Sequence, residues 1–299
     1  MGLYMKEIKL EDNEYPEILK LIPDAPRKLY VEGSLENLHT MCIGVVGSRN
    51  CTPYGEKWCE KFVRELVKYD ITIVSGMALG IDTIAHKSAI KYGGRTIAVL
   101  PSGIDNIFPT ENKYMYNKIL NSNGTVISEY RPKISANSKK FLERNRIVSG
   151  LSKGVLVVEA AYRSGTSVTA RIAISQNRDV FCIPGSLDNP KSIGTNNLIK
   201  EFAQIVTNPE DILWKYDLLN KRFIEDKIYV EKENIESLND ISTELLSTYK
   251  SIEKKPTEIS DIIKKSNINL KELMSKLTIL ELEGKIRRIS GNRYIRTDE

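Results

Sequence analysis

The chain has 299 residues, 41% of them hydrophobic, and a formal net charge of +5 at pH 7. This length accommodates one large and one small domain with a substantial buried core, and the modest positive charge is compatible with a polyanionic partner without requiring one. No apolar run approaches the ~18 residues that cross a bilayer, which excludes a membrane-spanning protein.

Targeting signals and metal ligands are scarce in this chain. The first 15 residues lack a basic-then-apolar signal pattern, so we expect a cytoplasmic protein. The cysteines form no C-x-x-C pair, and only two histidines, His39 and His86, accompany them. We therefore interpret the cysteines as buried reduced thiols and predict neither a metal site nor a cofactor. The cysteines are Cys42, Cys51, Cys59 and Cys182.

Two kinds of segment divide the first 217 residues. Residues 1–40 are a lead-in interrupted by prolines, which we interpret as a helix or two, with residues 28–31 compatible with an edge strand. From residue 41 onward, short β-branched apolar runs alternate with amphipathic segments of about 10 to 15 residues. Such apolar runs are typical of strands covered on both faces, and helical crossovers make them parallel. The pattern predicts a doubly wound, mostly parallel α/β sheet over residues 41–217.

The individual elements follow from the same alternation of apolar runs and amphipathic segments. The predicted strands span residues 42–46, 71–75, 96–100, 125–128, 154–159 and 179–183, with a weak seventh at 204–206. The predicted helices span residues 55–68, 81–92, 112–120, 141–149, 166–176 and 196–202, and a last one ends near residue 216.

Ligands of doubly wound sheets bind beyond the carboxyl ends of the strands, and the loops that follow these strands are rich in glycine and serine. Glycine and serine let backbone N–H groups approach a ligand closely, and helix N-termini add a positive dipole. The loops together predict an anion-binding rim. They include Gly47-Ser48-Arg49, Ser75-Gly76 and Ser164-Gly165-Thr166.

A basic cluster precedes the fifth predicted strand. Residues 131–153 contain seven Lys or Arg against one acid, Glu143. Cations beside an aromatic ring suit a phosphate chain with stacked bases. A solvated helix face is the ordinary alternative, and a core position explains Phe141 equally well. The cluster consists of Lys139, Lys140, Phe141, Arg144 and Arg146.

Two acids at the rim, Asp82 and Glu159, are of the type that a nucleotide hydrolase uses. His86 lies one turn after Asp82, and we favour a packing role for it over a hydrogen bond to that acid. The chain has neither a phosphate-binding P-loop nor the dinucleotide fingerprint. Nothing in the sequence specifies catalysis, so we predict a protein that is not an enzyme.

The C-terminal part reads as a linker and a small domain. Residues 218–242 mix charges and offer little to bury, which is typical of a linker. Residues 243–299 predict three helices, with N-caps at Thr257 and Asn269, and a hairpin that turns at Ser290-Gly291-Asn292. This is the pattern of a winged-helix domain. Acids on its longer helix make it a poor major-groove reader, so we lean towards protein contact or weak, sequence-independent DNA binding.

Motifs in linear order over about residues 15–213 resemble the DNA-processing protein A family, known as DprA or Smf. So many motifs in one order are specific for this family. They are Ile43-Gly-Val-Val-Gly-Ser-Arg49, Ser75-Gly-Met-Ala-Leu-Gly-Ile-Asp-Thr-Ile-Ala-His86, Ala98-Val-Leu-Pro-Ser-Gly103, Arg144-Asn-Arg-Ile147, Val157-Val-Glu-Ala160, Ser164-Gly-Thr166, Pro184-Gly185 and Asn197-Leu-Ile199.

This resemblance implies a Rossmann-like homodimer with a small C-terminal winged-helix domain. It further implies a protein that binds single-stranded DNA and passes it to a RecA-type recombinase during natural transformation, without enzymatic turnover. Arg49 and the basic cluster would hold the strand, and backbone amides of the rim loops would bind phosphates. The predicted DNA-binding residues are Gly47, Ser48, Arg49, Lys139, Lys140, Phe141, Arg144, Asn145, Arg146, Ser164, Gly165 and Thr166.

Two alternatives stay open at this point. One is a nucleotide-binding or nucleotide-hydrolysing Rossmann protein related to phosphoribohydrolases, although Ser164-Gly165-Thr166 lacks the double glycine of the loop in those enzymes. The other is a sensor that binds a nucleotide without cleaving it.

Overall fold

The apolar runs become the strands of one sheet in the computed structural model, which describes residues 5–219, 242–253, 255–289 and 293–297. The chain divides into two compact units, Met1–Leu219 and Asn220–Glu299. The predicted linker at residues 218–242 falls almost entirely outside the described residues, and so does the predicted hairpin turn at residues 290–292. The predicted domain boundaries therefore stay predictions.

The described part of the first unit contains a nine-stranded sheet in the order β1-β2-β6-β5-β4-β3-β7-β8-β9. Neighbouring strands from β6 to β9 pair in parallel, whereas the β1–β2 and β2–β6 pairs are antiparallel. The sheet is thus mostly parallel, as predicted. Its strands are β1 (Lys6–Lys9), β2 (Lys28–Gly33), β3 (Cys42–Val46), β4 (Thr72–Ser75), β5 (Thr96–Val99), β6 (Thr125–Ser128), β7 (Gly154–Val157), β8 (Asp179–Cys182) and β9 (Gln204–Ile205).

Helices cover both faces of the sheet, which explains the unbroken apolar runs. In β7, Val155 and Val157 pack in the cluster that contains α5, α6 and α7 residues, and Leu156 packs in the cluster with α2, α3 and α8. The predicted doubly wound α/β class is confirmed. The helices are α1 (Glu17–Lys20), α2 (Pro53–Val67), α3 (Ile81–Lys91), α4 (Lys113–Asn121), α5 (Ser138–Gly150), α6 (Gly165–Ser175), α7 (Ile193–Glu201) and α8 (Glu210–Lys215).

The lead-in contributes to this sheet in a way that its sequence pattern did not indicate. β2 pairs with β6 on one side and with β1 on the other, so the edge strand is β1 and not residues 28–31. In β1 only Ile8 is buried, which leaves too little periodicity to recognise a strand. The Tyr15 hydroxyl donates to the Pro26 carbonyl oxygen (2.8 Å) and so links the two ends of the segment that contains α1.

Helix α5 begins at Ser138, earlier than the predicted residue 141, because Asn137 caps it. The Asn137 side chain accepts a hydrogen bond from the Lys140 backbone N–H (3.0 Å), as N-cap residues do. The basic cluster therefore starts in the first turn of a regular helix.

The second unit contains three helices and a small antiparallel sheet in its described residues. Asn269 caps the longest helix as predicted, by accepting from the Glu272 N–H (3.0 Å). Thr257 does not cap a helix: it lies in a short third strand, and its hydroxyl accepts from the Glu253 N–H (3.0 Å). The winged-helix class stays a prediction. The elements are α9 (Thr243–Ser251), α10 (Ile259–Ser266), α11 (Leu270–Leu282), β10 (Thr257–Glu258), β11 (Ile286–Ile289) and β12 (Arg293–Arg296), in sheet order β10-β12-β11.

The described residues also bear on the expectations about membrane spans and cysteines. None of the described helices combines the length and the apolar character needed to cross a bilayer. Cys42, Cys59 and Cys182 are buried free thiols as predicted, whereas Cys51 is only half-buried because it lies in the loop between β3 and α2.

Candidate nucleic-acid interface

A cavity of about 400 Å³ lies at the carboxyl ends of β3, β4 and β7, within the size range of ligand pockets. It brings together the loop after β3, one side of α5 and the start of α6, which are far apart in the sequence. We call it the rim cavity. The predicted residues that line it are Gly47, Ser48, Arg49, Phe141, Arg144, Asn145, Ser164, Gly165 and Thr166. Lys139, Lys140 and Arg146 do not line it.

Glycines let the loop after β3 lie directly against the start of α3. A Cβ on Gly47 would be 2.6 Å from the Ile81 side chain, and one on Gly80 would be 2.3 Å from the Ser48 carbonyl oxygen. Gly80 also has φ +74°, which side chains disfavour. The Ile81 N–H then donates to the Ser48 carbonyl oxygen (3.2 Å). The backbone at residues 47–48 is thereby fixed at the cavity wall.

Another part of the wall is the N-terminus of α6. Ser164 is the N-cap, and its hydroxyl accepts from the Ser167 N–H (3.3 Å). The first N–H groups of a helix have no intrahelical partner, and they carry the positive end of the helix dipole. Gly165 leaves open space where a Cβ would lie, so a ligand can approach the backbone there. This wall favours an anion such as phosphate.

A cation and an aromatic ring form the rest of the exposed wall. The Arg49 guanidinium carbon lies 4.8 Å from the centroid of the Phe141 ring, within the range of a cation–π contact. Arg49 is exposed, and among the described residues it has no carboxylate partner. Its positive charge is therefore available to a ligand.

Arg144, predicted to bind DNA, lines the rim cavity but is 3% exposed, which rules out the alternative of a solvated helix face at this position. Its Nη1 donates to the carbonyl oxygens of Gly76 and Val99, and its charge lies near Asp82. Burial lowers the pKa of Arg144 to about 10, and Asp82 counteracts the shift, so the group stays charged at neutral pH. Because these bonds tie α5 to the chain after β4 and to the end of β5, Arg144 is a positioning residue.

The other predicted cations have partners outside the rim cavity. Arg146 pairs with Asp24 (2.9 Å) and Glu129 (2.9 Å), and burial raises the pKa of Glu129 even though Arg146 opposes the shift. Lys139 pairs loosely with Glu143 (3.5 Å). The geometry gives no support to a DNA contact by Arg146, because two acids already compensate its charge.

Lys140 is held beside the cavity and not in it. Its Nζ donates to the Ser135 carbonyl oxygen (2.6 Å) and lies 5.4 Å from the Tyr130 ring centroid. The side chain is only half-buried, and no carboxylate pairs with it in the described part of the chain. Its charge is thus available next to the Phe141 side of the cavity.

Glu159 and His86 have structural roles. Glu159 is 1% exposed and accepts hydrogen bonds from the Thr52 N–H (2.9 Å) and hydroxyl, which anchors the start of α2. His86 Nδ1 pairs with the Thr96 hydroxyl (2.7 Å), and burial lowers the pKa of His86 to about 3. The packing role predicted for His86 is confirmed. The described residues contain no cluster of His, Cys, Asp and Glu that could hold a metal ion.

Sequence reasoning missed one aromatic residue of this surface. Phe108, in the loop after β5, contacts the Phe141 ring with a centroid distance of 5.6 Å. A signal for it existed, since Phe108 is an aromatic residue between the predicted strand at residues 96–100 and the helix that follows, but the predicted rim loops were interpreted mainly through their glycine and serine.

The comparison with known families and proteins agrees with the motif order. Residues 6–217 match the family model described as DNA recombination-mediator protein A. The chain is similar to protein Smf of Escherichia coli, at 37% identity over 297 residues, which cover 97% of this chain and 76% of that protein. It is also similar to the DNA processing protein DprA of Streptococcus pneumoniae, at 43% identity over 206 residues (69% of this chain, 72% of that protein).

Two solved structures resemble most of this chain. The crystal structure of Streptococcus pneumoniae DprA superposes with a TM-score of 0.67 at 41% identity and covers 70% of this chain and 73% of that one. A structure of DNA processing protein A from Helicobacter pylori, described in a study of its single-stranded DNA binding mode, gives 0.65 at 34% identity (74% and 99% covered). This chain belongs to the DNA recombination-mediator protein A family.

Proposed function

We propose that this protein binds single-stranded DNA in the rim cavity without sequence preference. One observation carries the proposal: the Arg49–Phe141 pair and the N-terminus of α6 line the same cavity of about 400 Å³. A cation, an aromatic ring and free backbone amides are the groups that bind a phosphate chain with splayed bases. The Helicobacter pylori relative, whose structure was described in a study of its single-stranded DNA binding mode, supports the same choice of ligand.

The chemistry of the cavity wall favours single strands over duplexes. A base can lie on the Phe141 ring only if it is unstacked, which a single strand permits at low cost and a duplex does not. Backbone amides and an aromatic face contact phosphates and base planes, which are common to all sequences. We therefore expect little discrimination among sequences.

The proposal assigns different roles to the predicted residues. Arg49 and Lys140 neutralise phosphates, Phe141 stacks on a base, and the backbone at Gly47, Ser48, Gly165 and Thr166 completes the phosphate contacts. Asn145 and Ser164 shape the wall. Arg144 positions α5 from within the protein, whereas Lys139 and Arg146, paired with acids, make no essential contact.

A salt series with single-stranded and double-stranded oligonucleotides tests this proposal. The logarithm of affinity for the single strand should fall with the logarithm of salt concentration by about 0.7 per neutralised phosphate. The double variant Arg49→Ala/Lys140→Ala should bind all sequences more weakly and give a shallower slope. Lys61→Ala/Arg64→Ala on α2 removes the same charge away from the cavity and serves as the matched control. Equal affinity of both double variants would contradict the proposal.

We further propose, from family membership, that the protein acts in the cytoplasm as a homodimer that delivers DNA to a RecA-type recombinase during natural transformation. The family description as a recombination mediator supports this role. The test is recombinase ATP hydrolysis on DNA coated with single-strand-binding protein, which this protein should accelerate. Sedimentation should give twice the monomer mass.

We also propose that the cavity has no catalytic turnover, against the phosphoribohydrolase alternative. Both acids that such an enzyme could use are buried and engaged: Glu159 accepts hydrogen bonds from Thr52, and Asp82 accepts one from the Ala78 N–H and lies near Arg144. Incubation with nucleoside monophosphates should release no free base. Release of base by the wild type but not by Glu159→Gln would support the enzyme instead.

A further inference from the structure

An exposed aromatic ring lies beside the rim cavity and not in it. Phe108 is 46% exposed, more than any other phenylalanine in the described part of the chain. Its ring meets that of Phe141 at 71° with 5.6 Å between centroids, an edge-to-face arrangement. This contact covers part of Phe108 and leaves the remaining ring surface open to solvent, next to the residue that we assign to base stacking.

The loop that carries Phe108 is held in place by the loop that follows β6. Gly103 permits their close approach, since a Cβ there would be 2.5 Å from the Arg131 carbonyl oxygen. A ring fixed before binding loses less conformational freedom when a ligand stacks on it. The hydrogen bonds between the loops join Gly103 N to Ile134 O (2.8 Å), Lys133 N to Asp105 Oδ1 (2.6 Å) and Asn106 Nδ2 to Ser135 Oγ (3.2 Å).

The same pair of loops presents positive charge. Arg131 and Lys133 are both exposed, and in the described residues neither forms an ion pair with a carboxylate. Lys140, which lies over the Tyr130 ring, adds a third cation between these loops and Phe141. A phosphate chain that leaves the rim cavity past Phe141 therefore meets these three cations, beside an Asp105 carboxylate that accepts a hydrogen bond from the Lys133 backbone N–H.

We propose that Phe108 is a second base-stacking platform, which binds the nucleotide next to the one on Phe141. This inference rests on the proposed function, because it extends the same strand by one nucleotide. Since the two rings meet at 71°, the bases on them are turned relative to each other and do not stack on one another. The strand is thus held unstacked at this step.

An abasic scan tests the second platform. The probe is the shortest oligothymidine that the wild type binds with full affinity, because an oligonucleotide of this length can bind in one register only. Each of a series of such probes lacks one base. The wild type should lose affinity, roughly 5- to 100-fold, at two adjacent positions. Phe108→Leu keeps an apolar side chain against Phe141 but removes the flat ring. At one of the two positions, removal of the base should then no longer weaken binding by this variant. Phe108→Tyr should restore the sensitivity to base removal there.

The controls separate this inference from the function on which it rests. Tyr114→Leu removes an exposed aromatic ring of α4 that contacts Lys87 and Lys118, and it should keep the wild-type profile. An unchanged two-position profile in Phe108→Leu would overturn the second platform while the proposed function stands. Failure of the wild type to bind any oligothymidine would overturn both.

Discussion

Two regions of the first unit contain the same types of charged residue and use them in opposite ways. On the surface of the rim cavity, Arg49 is exposed, lies over Phe141 and has no carboxylate partner in the described residues. In the buried layer beneath, Arg144 donates to backbone carbonyl oxygens near Asp82. The difference teaches that an arginine in a basic motif is available to a ligand only where the fold leaves its charge uncompensated.

Arg146 is an intermediate case that sharpens the comparison. It lies two residues after Arg144 in the same motif, yet it turns to Asp24 and Glu129. The surface and the buried layer should therefore respond differently to substitution: variants of the buried layer lower stability, and variants of the surface lower DNA affinity. The predictions that follow run from the largest expected effect to the smallest.

Arg144→Met should produce the largest loss of stability. It leaves the carbonyl oxygens of Gly76 and Val99 without a donor and Asp82 without its neighbouring positive charge, and removing one member of a buried polar group costs about 3–5 kcal/mol. Urea unfolding measures the change in the free energy of unfolding. Arg49→Met, the control at the surface, should lose about 1 kcal/mol or less. Equal losses in the two variants would abolish the distinction between the regions.

The buried layer should also make stability depend on pH through His86. Burial holds the pKa of His86 at about 3 in the folded protein, against 6.5 for the free group. The unfolded chain therefore takes up a proton as pH falls below about 6.5, while the folded protein does not. Between pH 6.5 and 3 the free energy of unfolding should fall by at most about 1.4 kcal/mol for each pH unit.

His86→Gln checks this pH dependence because it keeps a polar group near the Thr96 hydroxyl without a titrating ring. The fall in the free energy of unfolding between pH 6.5 and 4 should be smaller in the variant than in the wild type. A curve that falls as steeply without the ring would assign the acid sensitivity to other groups. DNA affinity at pH 7.5 should be unchanged, since His86 does not line the rim cavity.

Phe141→Leu, at the surface of the rim cavity, should lower DNA affinity and have little effect on stability. The variant keeps an apolar side chain but removes the aromatic face, so DNA affinity should fall by about 1–3 kcal/mol. The loss of stability should be less than about 1.5 kcal/mol, as for a conservative apolar exchange. Fluorescence anisotropy and urea unfolding measure the two quantities on one preparation. A variant that unfolds much more readily but binds normally would make Phe141 a core residue.

The smallest effect is expected from Asp24→Asn, which removes one of the two acids that compensate Arg146. Asp24 is largely exposed, so its ion pair should contribute at most about 1 kcal/mol of stability. DNA affinity should not change, because Glu129 still pairs with Arg146. A marked gain in affinity would show that Arg146 reaches the DNA once an acid is removed. Arg146 would then count among the residues of the DNA-binding surface.

Local patterns in the sequence determined the frame of this protein. Apolar runs covered on both faces specify the strands and helices of the sheet, and β3 and β6 have their predicted bounds. A glycine with a positive φ, such as Gly80 at +74°, marks the turn before α3, because this requirement acts on the backbone of the residue itself. These signals are short in range, and for this reason a single sequence contains them.

Tertiary structure alone decided which cations face the cavity and which rings lie beside it. Arg144 and Arg146 are separated by one residue, but the groups that bind them, the carbonyl oxygen of Val99 and the carboxylate of Asp24, are distant in the sequence. Phe108 meets Phe141 because the loops after β5 and β6 are joined by hydrogen bonds. Compensation of charge and contact between rings depend on distances in space, and no local pattern of residues encodes them.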